Sequence, residues 1–139
     1  MWPSVVFLVI AIIAVGLLAL IAMVLIGHRR YEFNVEEYQT RWLKIENRLI
    51  KGQHQGYPLA VLNADKLLDH ALIEMGLTGK TMGERLKKIE SRFSNPNAVW
   101  FAHRLRNQIA HEPDFELRFE EAKRAVSAFK QALKDLGAI

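Results

Sequence analysis

Residues 95–113 read NPNAVWFAHRLRNQIAHEP, and this stretch decides the fold. It holds both ends of one helix. Asn95 can accept hydrogen bonds from the first free amides, and Pro96 fits a first turn, where its missing N–H costs nothing. Glu112 precedes Pro113, which disfavours α geometry, so the helix ends about there. Between these ends, at ~100° per residue, Ala98, Phe101, Ala102, Leu105 and Ile109 form an apolar face. The same wheel puts Trp100, His103, Arg104, Asn107 and His111 opposite, with Arg104, Asn107 and His111 converging as a stripe. Arg106 falls at the edge of the apolar face, where a cation needs a partner.

The same three- and four-residue rhythm extends outward from this segment. Asn34 caps a helix carrying Val35, Tyr38, Trp42, Ile45 and Leu49. A second has Pro58 in its first turn, carries Leu67, Leu68, Ala71, Leu72 and Met75, and stops at Gly76. Thr81-Met82-Gly83-Glu84 reads as a capping box for a short helix through Leu86 and Ile89. After the quoted segment, Phe119, Ala122, Val126, Phe129, Leu133 and Leu136 keep the rhythm to Gly137. No segment alternates with the two-residue period of a strand. Residues 31–139 are therefore expected to form an all-α bundle of four main helices plus one short helix, joined by short loops.

Residues 5–27 differ in kind. They contain no charge, and as a helix rising ~1.5 Å per residue they span roughly 35 Å, enough for the hydrocarbon core of a bilayer. The run is longer than the apolar core of a cleaved signal and lacks a basic start, so it is expected to remain as a transmembrane anchor, residues 1–30 with their basic flank. Arg29 and Arg30 follow it, which by the positive-inside tendency places the carboxyl-terminal domain in the cytoplasm of a single-pass protein of the cell (inner) membrane. Trp2 and Tyr31 stand where interfacial aromatics are expected. Ala11, Ala14, Ala19 and Ala22 share one side, open to close helix approach or to plain lipid contact.

The chain of 139 residues has 19 Lys and Arg against 15 Asp and Glu, all beyond the apolar span of residues 5–27. This mild basicity suits RNA, or the anionic inner leaflet, as well as it suits an ordinary helical domain. The absence of cysteine removes disulfides and thiolate ligands, and His28, His54, His70, His103 and His111 have no zinc spacing. No glycine-rich phosphate loop occurs, and the sequence implies no cofactor and no metal. An uncharged single span also argues against transport.

Arg106, Asn107 and His111 can supply a phosphate clamp and a proton carrier without a metal, a set that suits cleavage of RNA by its own 2′-hydroxyl. His111 stands at a helix carboxyl terminus, where the dipole favours a cation, and histidine titrates near neutral pH. The same residues also fit a structural role. Arg106 then bridges to Asp65 or Asp69, four apart on the margin of the second helix's apolar stripe. Asn107 bonds locally, and His111 caps a helix end.

In this context Arg106-Asn107 followed by His111 resembles the Arg-x4–6-His motif of HEPN domains, small helical bundles. The similarity covers residues 34–137, and only the short motif is specific. It implies a metal-independent endoribonuclease, or an RNA-binding module, working as a homodimer in which two motifs share a cleft. His111 would move the proton, Arg106 would stabilise charge on the phosphate, Asn107 would orient one of them, and His103 and Arg104 would contribute to binding. Where toxin-type members carry a tyrosine two residues past the histidine, this chain has Pro113. Many relatives are non-catalytic, so the resemblance also admits an interaction module holding a second copy or another protein at the membrane face.

Overall fold

The computed structural model describes residues 2–27 and 31–139. Met1 and residues 28–30, with the Arg29–Arg30 flank used to orient the anchor, lie outside the described residues. The chain divides into two compact units, Met1–Arg30 and Tyr31–Ile139. Among the described residues all regular structure is helical.

The first unit is one helix, α1 (Trp2–Gly27), whose side chains from Trp2 to Ile26 are all exposed. It is long and apolar enough to cross a membrane.

In the second unit the local signals act where they stand. Asn34 accepts from the Glu37 amide at 3.2 Å and opens α2 (Val35–Glu46). Thr81 accepts from the Glu84 amide at 3.2 Å and opens α4 (Met82–Ile89), which runs on into a 3-10 turn at Glu90–Arg92. The reciprocal half of that capping box is displaced by one residue: the Glu84 carboxylate accepts from the Lys80 amide at 2.7 Å rather than from Thr81. Asn95 accepts from the Ala98 amide at 3.1 Å at the head of α5 (Pro96–His111), and Glu112, extended before Pro113, ends it. The last helix, α6 (Phe119–Leu136), closes at Gly137, whose φ of 83° suits a residue without Cβ.

α3 (Gly56–Glu74) is the axis of the bundle and packs against α2, α4, α5 and α6. It begins two residues before Pro58, at a glycine that space requires, because a Cβ on Gly56 would lie 2.1 Å from the Arg48 carbonyl oxygen. At ~100° per residue its buried residues, from Tyr57 through Leu68 to Leu72, form one wide stripe, and Leu59, Lys66, His70 and Ile73 are exposed on the opposite side. Four alanines of α6 (Ala122, Ala125, Ala128, Ala132) are buried beside Phe129 and Leu133, letting the backbone come close. Tyr38 and Trp42 of α2 complete the core.

Polar ties lock the rim of this core. The Tyr38 hydroxyl donates to Glu74 at 2.5 Å, and Tyr31 donates to the other oxygen of the same carboxylate at 3.0 Å. Glu46 accepts from Lys130 at 2.6 Å and from the Trp42 indole at 2.7 Å, joining α2 to α6. The Tyr38 hydroxyl bond holds Glu74 below the usual carboxylate range, and Lys130, then Trp42, do the same for Glu46. A carboxylate depressed by folding adds stability above its unfolded pKa and loses it as pH falls through the folded value. Thermal stability should therefore decline below about pH 4.5. Glu74→Gln should lower stability at pH 7 by less than about 1 kcal/mol, because the carboxylate is partly solvated, and should flatten the acid limb in a melting series.

Candidate functional site

Two carboxylates one helical turn apart on α3 organise the site. Asp65 is buried, and each of its oxygens serves a different residue of α5. Oδ1 lies 2.9 Å from His103 Nδ1, and Oδ2 lies 3.2 Å from Arg106 Nε. Asp69 turns toward α4 and accepts two parallel bonds from Arg85, 2.7 Å from Nε and 2.8 Å from Nη2. Arg85 is fixed further by Nη1 donating to the Gly79 carbonyl at 2.7 Å. One face of α3 thus ties α5 at Asp65 and α4 at Asp69.

This arrangement corrects the sequence reading of the quoted segment. His103 was expected on the solvent face with Trp100 and Arg104, yet it is 9% exposed and bonded to Asp65. α5 packs on both α3 and α6, so its covered face is wider than the apolar residues alone suggest. Val99, Ala102, His103 and Leu105 are buried, and Arg106 continues this face half-buried. Of the two carboxylates expected as alternative partners of Arg106, Asp65 is the one that meets it, and Arg85 takes both oxygens of Asp69. Arg104 and His111 are exposed and do not join Asn107 in one site within the chain.

Arg106 is held in an incomplete way. Its Nε sits within ion-pair distance of Asp65, but the N–H is not aimed along a hydrogen bond, and this buried nitrogen has no hydrogen-bond acceptor. The attraction is coulombic. Nη1 donates to the Asn107 side-chain oxygen at 3.0 Å, so Asn107 braces the guanidinium from the same helix. The Arg106 side chain remains 36% exposed, leaving an edge for a ligand.

These residues line a cleft of about 720 Å³ bounded by α3, α4, α5 and the segment before α4. Lys66, Lys80, Arg85 and Arg106 contribute four cations against the two carboxylates Asp65 and Asp69. Thr81, His103 and Asn107 add further hydrogen-bonding groups. Such a surface attracts phosphate. Among the described residues, no three His, Asp or Glu side chains converge in a metal-binding set. Lys66, Lys80 and Arg85 were not singled out by the sequence as one site. In the sequence, Arg85, Lys87, Lys88 and Arg92 fit either contact with an RNA backbone or, more commonly, a solvated helix face; the half-buried position of Arg85 follows from its pairing with Asp69.

His111 lies outside the cleft. It is the last residue of α5, exposed, and its side chain makes no hydrogen bond or ion pair among the described residues.

No protein-family model matches this chain, and neither curated proteins nor solved structures give a significant match.

Proposed function

We propose that this chain is a membrane-anchored, HEPN-like domain that binds and cleaves RNA without a metal, as a homodimer on the cytoplasmic face of the cell membrane. The observation that carries the reading is the excess of cations in the cleft, with Arg106 and Asn107 on its wall. A phosphodiester there meets Lys66, Lys80 and the free edge of Arg106. Asp65 and Asn107 fix the guanidinium before substrate arrives, which is the preorganisation that electrostatic stabilisation of a developing charge requires.

The chemistry runs through a histidine. The 2′-hydroxyl gives its proton to the imidazole as O2′ bonds to phosphorus. The P–O5′ bond breaks, and the leaving oxygen takes a proton, giving a 2′,3′-cyclic phosphate and a 5′-hydroxyl. His111 is the residue for this step, exposed and unengaged on the helix that carries Arg106. Since it does not line its own chain's cleft, the reading places it in the cleft of a second copy.

A second reading rests on the Arg106–Asp65 pair itself. A cation already countered within the fold suits a non-catalytic module that captures a second copy or a protein partner at the membrane.

The test is the full chain in zwitterionic nanodiscs, incubated with single-stranded and structured RNAs in excess chelator. We expect products ending in a cyclic phosphate from the parent, and a rate about 10²-fold or more lower for Arg106→Gln. A folded parent that leaves every RNA intact would move the assignment to the interaction module.

A further inference from the structure

The cleft does not end at Lys66. A second, shallower groove of about 280 Å³ runs between α2 and α3, and Asn63 and Lys66 line both hollows. Its charged lining is wholly cationic: Arg41, Lys44, Arg48 and Lys66. Elsewhere in this unit several cations are spent on carboxylates, as with Arg85 on Asp69, Arg118 on Glu121 and Lys130 on Glu46. The side chains of Lys44, Arg48 and Lys66 make no ion pair or hydrogen bond among the described residues. Arg41 is set in place instead by the Tyr38 ring, 5.9 Å below its guanidinium. Beyond Arg41 and Lys44 the next hollow is lined by Glu36 and Glu37, so the basic surface has an end as well as a beginning.

We propose that this groove is an extended binding track for the backbone of single-stranded RNA, which enters along Arg41, Lys44 and Arg48 and passes over Lys66 into the cleft. The inference rests on the RNA reading above and adds where the rest of the strand lies. A polyanionic chain is the occupant that fits a line of unpaired cations continuous with the basic cleft. A concave track favours a flexible strand over a flat lipid surface. The groove offers no aromatic platform, so binding through it is indifferent to base and falls steeply with salt. Glu36 and Glu37 repel phosphate and set the far limit.

The test measures fluorescence anisotropy of the full chain in zwitterionic nanodiscs with uridylates whose 2′-oxygens are methylated to block cleavage. A trinucleotide spans only the cleft, whereas a dodecamer also fills the track. We expect Lys44→Glu with Arg48→Glu to weaken the dodecamer about tenfold and leave the trinucleotide within about twofold. The slope of log K against log salt for the dodecamer should become shallower by about 1.4, at ~0.7 per single-strand phosphate contact. Arg106→Gln should weaken both lengths. Equal effects of the double variant on both lengths, or none on the dodecamer, overturn the track even where the Arg106→Gln result upholds the cleft. Loss of affinity only for anionic vesicles would assign the groove to lipid and overturn it too. A parent that binds neither oligonucleotide overturns both readings.

Discussion

Asp65→Ala is expected to destabilise the bundle by about 3 kcal/mol, the low end for breaking a buried ion pair, and at ~4 °C per kcal/mol to lower Tm by roughly 12 °C. Both oxygens of this carboxylate are committed, one to His103 and one to Arg106, and it is 4% exposed. Removing it leaves the buried Nε of Arg106 without its counter-charge and a buried imidazole without its partner. The low end applies because the Arg106 side chain is 36% exposed and can turn toward water. Asp65→Asn should cost less, since the amide oxygen can still accept a hydrogen bond. The companion experiment is a double-mutant cycle with Arg106→Ala, read by chemical denaturation. A coupling of about 1–2 kcal/mol is expected for groups in direct contact. A loss under 1 kcal/mol for Asp65→Ala, or zero coupling, would show that the pair does not hold α3 to α5.

The second large effect concerns His111. His111→Ala should reduce RNA cleavage by about 10²–10⁴-fold, the range for a general acid or base, while stability changes by no more than about 0.5 kcal/mol. The stability half follows from its exposure and lack of partners. The decisive version mixes two inactive proteins, Arg106→Gln and His111→Ala, under conditions where subunits exchange. If each cleft uses Arg106 of one copy and His111 of the other, a mixed dimer carries one intact cleft. Half of the dimers are mixed and each has one of two sites, so about a quarter of parental activity returns. No recovery after demonstrated exchange would refute the shared site.

The two effects test different claims about one helix. The first probes why α5 lies where it does and stands whether or not the chain acts on RNA. The second probes chemistry, and it fails if Arg106 is solely structural.

Much of the bundle was legible because its signals are local. Asn34, Thr81 and Asn95 each bond an amide within the next turn, Gly137 relieves its own φ, and Pro113 acts on the residue before it. The charge-free run of α1 is likewise a property of the chain alone, since a helix of that length and composition needs no partner to be recognised. Whether a side chain near an apolar edge is covered depends instead on how many neighbours its helix has. A wheel drawn for α5 puts His103 among polar residues, and α3 then covers it through Asp65. The same limit applied to Asp65 and Asp69. Their spacing showed that both fall on one side of α3, but whether Arg85 or Arg106 meets Asp69 depends on where α4 crosses. The sequence therefore determined the helices, most of their ends (α2 stops at Glu46, short of the Leu49 assigned to it) and the Arg106, Asn107 and His111 set, through contacts spanning a few residues. Only the tertiary structure decided that Arg106 shares a buried carboxylate with His103 and that Lys66 joins two basic hollows. Those facts arise from packing between helices distant in sequence, and no local pattern encodes them.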